Sequence, residues 1–313
     1  MIDNIKLYLP RCRDMPDIGG WLDTGAEQND IATGETKVFG KIGNIKVSQR
    51  YGGYTIQGSL PKFLYGDNVS QLTRKDVGLA IEKLSDRLHL PLCDADITSI
   101  EVGANFCLSK PTGRYTRLLG SMPRLQRKVM AGSVYYQGMG KYHPREYYFY
   151  NKIEEVMAKG GTVPAGFETA NMLRYEMRLQ GRLTKQLSIP ELKASTLQDR
   201  AVYKELVKRW LDSYLSIDKL QDMNDDGLKE VTSIKGAKEI LFSQLIAKAG
   251  GSSAIEEFVS KLKIESGLAG KRDAISRVKS SLYEIASISN LRAGNSLIGE
   301  LTSRVKQTAQ DIS

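Results

Sequence analysis

Tyr150, Glu101 and Glu176 are the residues best placed to do chemistry, because each falls on the polar side of a segment that alternates as a strand does. Over residues 97–106, Ile100, Val102, Ala104 and Phe106 point one way, and Ser99, Glu101, Gly103 and Asn105 the other. Over residues 173–179, Leu173, Tyr175, Met177 and Leu179 form an apolar side, opposite Arg174, Glu176 and Arg178. Residues 146–152 place Tyr148, Tyr150 and Lys152 on one side by the same alternation. If these strands are neighbours, Glu101, Glu176 and the amide of Asn105 supply hard oxygen ligands of the kind that Mg²⁺ or Mn²⁺ takes. Such an ion polarises a phosphodiester, and a phenol oxygen within reach can attack it. The Lys152 ammonium would then favour the Tyr150 phenolate over its usual pKa of about 10. The same residues also fit two plainer descriptions. One is a set of aromatic strand formers beside a solvated Arg-Glu-Arg face; the other is a basic, tyrosine-bearing platform for single-stranded nucleic acid.

The elements that must position these groups are legible around them. Ile5, Leu7 and Leu9 alternate before Pro10 as a half-buried strand, and residues 44–49 and 54–60 flank Tyr51-Gly52-Gly53 as a hairpin. The Gly-rich residues 19–34 read as irregular. Thr73 with Asp76 forms a capping box ahead of Val77, Ile81, Leu84 and Leu88 on one helical face, which Pro91 ends. Residues 114–127 carry Arg114, Arg117, Arg124 and Arg127 with no acidic residue, and read as a loop or frayed helix that could line a phosphate backbone. Residues 133–137 form a further strand. The loop that follows opens with Gly138-Met139-Gly140 and holds His143, a structural residue or a phosphate contact. After Pro190 the spacing becomes helical: Val207, Trp210, Leu211 and Tyr214, then Ile240, Leu241, Leu245 and Ile246, then Ile255, Phe258, Val259 and Leu262. Gly250-Gly251-Ser252-Ser253 breaks the last two, which permits a helix-turn-helix or a small bundle. The expected class is α+β, with a mainly antiparallel sheet and flanking helices over residues 1–187 and an all-helical domain for DNA binding or oligomerisation over residues 188–313.

Composition narrows the function. A length of 313 residues suits two domains, and Lys+Arg 45 against Asp+Glu 36 leaves +9, which suits a polyanionic partner. No run of about 18 apolar residues and no basic-then-apolar leader is present, so a cytoplasmic protein with no membrane partner is expected. Three cysteines without a CxxC pair and only two histidines argue against a disulfide framework and against thiolate or histidine-rich metal sites. Any metal must be held largely by oxygen.

The segments ITSIEVGANF (97–106), YFYNK (148–152) and LRYEMRL (173–179) resemble, in order, three motifs of rolling-circle replication initiators. Plasmid members of that group carry R-L/I-D-x-A-x-D, I-Y-N-K and R-x-E-I-x-L strands. Met1-Ile2-Asp3, Gly66-Asp67-Asn68-Val69 and the helix after them resemble the filamentous-phage gene II replication proteins, and the likeness spans about residues 1–185. The resemblance implies a fold related to the HUH nucleases, although their paired histidines are absent here. It implies a metal-dependent, strand-specific endonuclease and strand transferase that forms a 5′-phosphotyrosyl intermediate. Tyr150 falls on the nucleophile, with Tyr147 and Tyr148 as rivals one register slip away, and Glu101 and Glu176 fall on the acidic ligands. Glu101 stands for the family's Asp and Asn105 for a second Asp, while Lys152, Arg174 and Arg178 would hold the strand or stabilise phosphate charge. Implied partners are single-stranded or hairpin origin DNA, a host helicase and polymerase, and a second copy in a homodimer. Two other readings stay open: a non-catalytic DNA-binding replication regulator, and a relaxase or transposase-like tyrosine nuclease.

Overall fold

Ten strands pair in one sheet, antiparallel at every ladder, in the order β2-β3-β4-β5-β1-β6-β10-β9-β8-β7. They are β1 (Ile2–Pro10), β2 (Thr24–Asn29), β3 (Thr36–Ile42), β4 (Ile45–Arg50), β5 (Gly53–Ser59), β6 (Asp96–Cys107), β7 (Gln126–Met130), β8 (Ser133–Gln137), β9 (Arg145–Asn151) and β10 (Met172–Gln180). This computed structural model describes residues 1–12, 15–29, 34–139, 143–220, 232–249, 252–265, 268, 270–291 and 297–312; Gly140, Gly250 and Gly251 lie outside them. The helices beside the sheet are α1 (Leu60–Tyr65), α2 (Arg74–Leu88), α3 (Thr112–Thr116), α4 (Lys152–Ala158), α5 (Leu183–Leu187) and α6 (Arg200–Leu215).

The sheet has two unlike faces because its central strands alternate. Ile100, Val102, Ala104 and Phe106 of β6 and Leu173, Tyr175, Met177 and Leu179 of β10 are buried together. Helix α6 lies on this face. The Tyr175 ring stacks on Phe149 at 4.4 Å and on Trp210 at 4.8 Å, and its hydroxyl donates to the Trp210 carbonyl at 2.9 Å. Ser213 donates to the Tyr147 hydroxyl at 3.1 Å, which commits Tyr147 to the core. In α2 both halves of the Thr73–Asp76 capping box form, and Val77, Ile81, Leu84 and Leu88 are buried. That helix stops at His89, which takes the left-handed conformation (φ 50°), two residues before Pro91.

Toward the edges of the sheet two stretches differ from their sequence expectation. Residues 19–34 contain a 3-10 turn at Gly19–Trp21 and strand β2, whose six residues are all exposed. An edge strand that buries nothing needs no apolar alternation, so β2 is held by its ladder to β3. Residues 114–127 likewise hold part of α3 and the start of the mostly exposed edge strand β7.

The chain divides into two compact units, Met1–Asp218 with Ser303–Ser313, and Lys219–Thr302. In the second, α7 (Ile234–Ala249), α8 (Ser252–Glu265) and α9 (Arg272–Leu291) form a small bundle in which Ile255, Val259 and Ile275 are buried and Ile246, Leu282 and Ala286 pack against them. Leu241 and Leu245 are half exposed there. The last helix is α10 (Leu297–Ile312). Among the described residues no helix is long and apolar enough to cross a membrane.

Trp210 is fully buried between β6 and β10 side chains. Trp210→Ala should lower the unfolding free energy by about 3–5 kcal/mol. Urea titration followed by circular dichroism would read this as a lower midpoint, and an unchanged midpoint would contradict the packing described.

Candidate active site

On the face away from α6 the registers bring nine positions into three rows. Glu101, Arg178 and Glu146 form one row, Gly103, Glu176 and Tyr148 the next, and Asn105, Arg174 and Tyr150 the third. Gly103 stands in the middle row without a side chain, and the space is needed. A Cβ there would meet Glu176 Cγ and the Tyr175 carbonyl at 3.0 Å and Arg174 Nη2 at 3.3 Å.

A fourth acid joins from β1 through a break in register. Ile2 pairs with Val102 and Ile5 with Ile100, so Asp3 and Asn4 together stand opposite Glu101. This bulge keeps both Ile2 and Ile5 in the core and turns Asp3 onto the polar face, where uninterrupted alternation would have aligned it with Ile5 and Leu7. Asp3 Oδ1 accepts from Ser59 Oγ at 2.5 Å, and Oδ2 pairs with Arg174 Nη2. Asp3 was not among the site residues expected from the sequence; its signals were a carboxylate on the apolar side of the β1 alternation and the Met1-Ile2-Asp3 likeness.

Asp3, Glu101 and Glu176 each offer an oxygen within 4.8 Å of the other two. Arg174 lies beside them, 3% exposed, with Nε on Glu176 Oε1 at 2.5 Å and Nη1 donating to Asn105 Oδ1 at 2.9 Å. Arg178 Nε pairs with Glu101 Oε1 at 2.5 Å, and its Nη1 lies 3.7 Å from Glu146 Oε2. Four carboxylates, Asp3, Glu101, Glu146 and Glu176, against two guanidinium groups leave an excess negative charge. Burial, followed by the Glu176 charge, accordingly pushes Glu101 up to about 7. Burial also opposes the Glu176 charge, but Arg174 outweighs it and holds that carboxyl below its ordinary value. Three crowded hard oxygens with excess negative charge fit a small divalent cation.

Tyr150 donates to Glu176 Oε1 at 2.8 Å. Burial and then the Glu176 charge raise its pKa strongly, so the phenol holds its proton and the expected Lys152-stabilised phenolate does not form in this arrangement. The reason is local. Asn151 caps α4, accepting from Ile153 N at 3.1 Å and Glu154 N at 3.3 Å, so Lys152 opens a helix instead of extending β9. Its ammonium pairs with Glu155 at 2.8 Å and stands 6.0 Å from the Tyr150 ring centre. Burial, then the Arg174 charge, lowers the Lys152 pKa.

The other expected site residues are distributed as follows. Tyr148 shares the polar face, under the Arg178 guanidinium at 4.9 Å, and burial pushes its phenol up to about 12. Both ends of the Asn105 amide are engaged, the oxygen by Arg174 and the nitrogen by the Val69 carbonyl at 2.8 Å. Val69 belongs to the Gly66-Asp67-Asn68-Val69 loop, where Asp67 Oδ1 accepts from Val69 N and Ser70 N at 2.8 Å, and Val69 packs with Ile153, Val156 and Met172 beside the site. Arg127 is used structurally, donating to the Leu119 carbonyl at 2.7 Å. Arg114 lies on α3, and Arg117 and Arg124 are exposed beyond it, Arg124 in the left-handed conformation at φ 64°. The His143 carbonyl accepts from Gln180 at 2.6 Å, while its Nδ1 is buried with no hydrogen-bond partner among the described residues.

Residues 1–210 match the family model described as the N-terminal domain of the phage replication-associated protein, the filamentous-phage gene II type. No curated protein matches the chain. The matched span takes in all ten strands and most of α6.

The Glu101 shift has a sign that can be checked in metal-free protein. Its pKa rises from 4.5 to about 7 on folding, so the folded state binds more protons between those values. The associated stability is fully present below pH 4.5 and is lost as pH rises through 7. The loss is at most about 3 kcal/mol. Urea unfolding in EDTA across pH 5–8 should show this fall in the wild type and a flatter profile in Glu101→Gln; parallel profiles would refute it.

Proposed function

The chain belongs to the family of phage replication-associated proteins that share the gene II N-terminal domain, and from that membership we propose that it is a replication initiator that nicks one strand of its origin DNA with Tyr150. The observation that carries this reading is the 2.8 Å hydrogen bond from Tyr150 to Glu176 inside a cluster of three carboxylates. A nucleophile, an acceptor for its proton and hard oxygen donors thus meet at one point of the sheet.

Asp3, Glu101 and Glu176 are the residues that would hold Mg²⁺ or Mn²⁺. A cation bound there would supply Lewis-acid activation of a phosphodiester. The Tyr150 oxygen bonds to phosphorus as the bond from phosphorus to O3′ breaks, and the phenolic proton passes to Glu176 Oε1, to which it is already directed. O3′ takes a proton from water and leaves as a free 3′-hydroxyl, able to prime synthesis, while the 5′-phosphate stays on the tyrosine. One phosphodiester is exchanged for another, so a later 3′-hydroxyl can reverse the link and close a circle. Arg174 positions Glu176 for the proton, and Lys152 adds positive field beside the Tyr150 ring. The substrate implied is single-stranded or hairpin origin DNA.

Labelled oligonucleotides tiling the protein's own replicon, incubated with Mn²⁺ or Mg²⁺, should yield a cut and a covalent protein adduct on a denaturing gel. Tyr150→Phe and EDTA should each abolish the adduct, and Tyr148→Phe should keep it. Asp3→Asn should raise the Mn²⁺ needed for half-maximal cutting by about tenfold or more. An adduct that survives in Tyr150→Phe would overturn the assignment; binding without any cut would favour the regulator.

A further inference from the structure

The same face of the sheet continues past the carboxylates into a concavity of about 880 Å³ over β1–β5. Its side chains form rows across the strands, as the rows of the acidic cluster do. Lys6 faces Ser99 on β6, two residues from Glu101, and the row runs on through Gln57 and Lys46 to Lys41. In the next row Tyr8 faces Thr55, Thr55 faces Ser48 and Ser48 faces Phe39. Arg50 lies beyond them at the end of β4. Among the described residues lining this concavity none is acidic, and Lys6, Lys41, Lys46 and Arg50 have no ion-pair partner among the described residues. Asp96, opposite Tyr8 on β6, marks its margin.

We propose that this groove is a binding site for single-stranded DNA, which it leads to Tyr150; the destination rests on the nuclease reading, the binding does not. The cations Lys6, Lys46 and Lys41 lie along one side of the aromatic row and Arg50 on the other. This pattern suits a chain whose charged backbone runs beside its stacked bases. Tyr8 and Phe39, 37% and 36% exposed, present ring surface to those bases; Tyr8 is anchored by its hydroxyl on the Gly52 carbonyl at 2.9 Å, and Lys37 lies over Phe39 at 5.0 Å. A paired duplex hides its base faces and offers nothing to the rings. Strands about 4.8 Å apart place Lys6 only one strand from β6, so a strand held in the groove reaches the carboxylates without crossing another element. Lys6, Lys41, Lys46 and Arg50 thereby bring part of the chain's excess positive charge together on one face.

The test is fluorescence anisotropy of labelled oligo(dT) with the full chain in EDTA, where no cutting is needed, repeated over a salt series. Lys41→Ala with Lys46→Ala should weaken binding and lower the slope of log affinity against log salt by about 1.4, roughly 0.7 per phosphate contact. Phe39→Ala should weaken binding about 5- to 100-fold at an unchanged slope, and leave binding of a duplex of equal length unaltered. All these side chains are exposed or half-exposed, so thermal melts should match the wild type. Oligo(dT) binding equal to wild type in both variants would overturn the proposal, and an equal loss on duplex with Phe39→Ala would overturn the single-strand assignment. Tyr150→Phe should bind oligo(dT) as the wild type does; the loss of its adduct bears on the nuclease reading alone.

Discussion

The Arg174 guanidinium ties three strands together at the centre of the polar face: β1 through Asp3, β6 through Asn105 and its own β10 through Glu176. Buried carboxylates at this spacing repel one another, and removing a partner from such a cluster typically costs about 3–5 kcal/mol because it leaves a charge unmatched. The positions of Glu176, and through it of the Tyr150 hydroxyl, therefore follow from where Arg174 is held. Gly103 keeps the space that Arg174 and Glu176 occupy. Asn105 fastens the arrangement to the Val69 loop.

Arg174 and Arg178 do not fully neutralise the cluster, and the remainder determines where protons reside. Glu101 takes up much of the excess by holding a proton toward neutral pH, whereas Glu176 stays ionised against Arg174 and accepts from Tyr150. A tyrosine beside an ionised carboxylate in a buried place is a poor acid at rest. In the proposed reaction its hydrogen bond to Glu176 would supply the acceptor, so proton transfer could accompany attack. A cation among the carboxylates would replace the proton on Glu101 and relieve the repulsion, which couples metal affinity to pH.

The sheet separates its tasks by face. The apolar side is sealed by α6 through Trp210, Tyr214 and Ser213, which buries Tyr147, Phe149 and Tyr175 and fixes the strands that present the polar side. The polar side is acidic toward β10 and basic toward β4. These two fields abut at β1 and β6, where Asp3 and Lys6 stand three residues apart in one strand.

The amino-acid sequence by itself determined which side chains share a face. Period-two alternation in residues 97–106 and 173–179 is a local property of strand geometry, so Glu101, Asn105, Arg174, Glu176 and Arg178 were legible before any fold was known, as was the α2 capping box. The groove was not read from the sequence: residues 36–42 were not recognised as a strand, and no local pattern says that β1, β3, β4 and β5 are neighbours. Three features belong to the tertiary structure alone. Strand order brought β6, β10 and β9 together, and pairing between distant segments depends on the whole chain. The bulge that turns Asp3 to the polar face exists only in register with β6. The proton on Tyr150 depends on burial and on the fields of Glu176 and Arg174, which act through space and leave no periodicity in the chain.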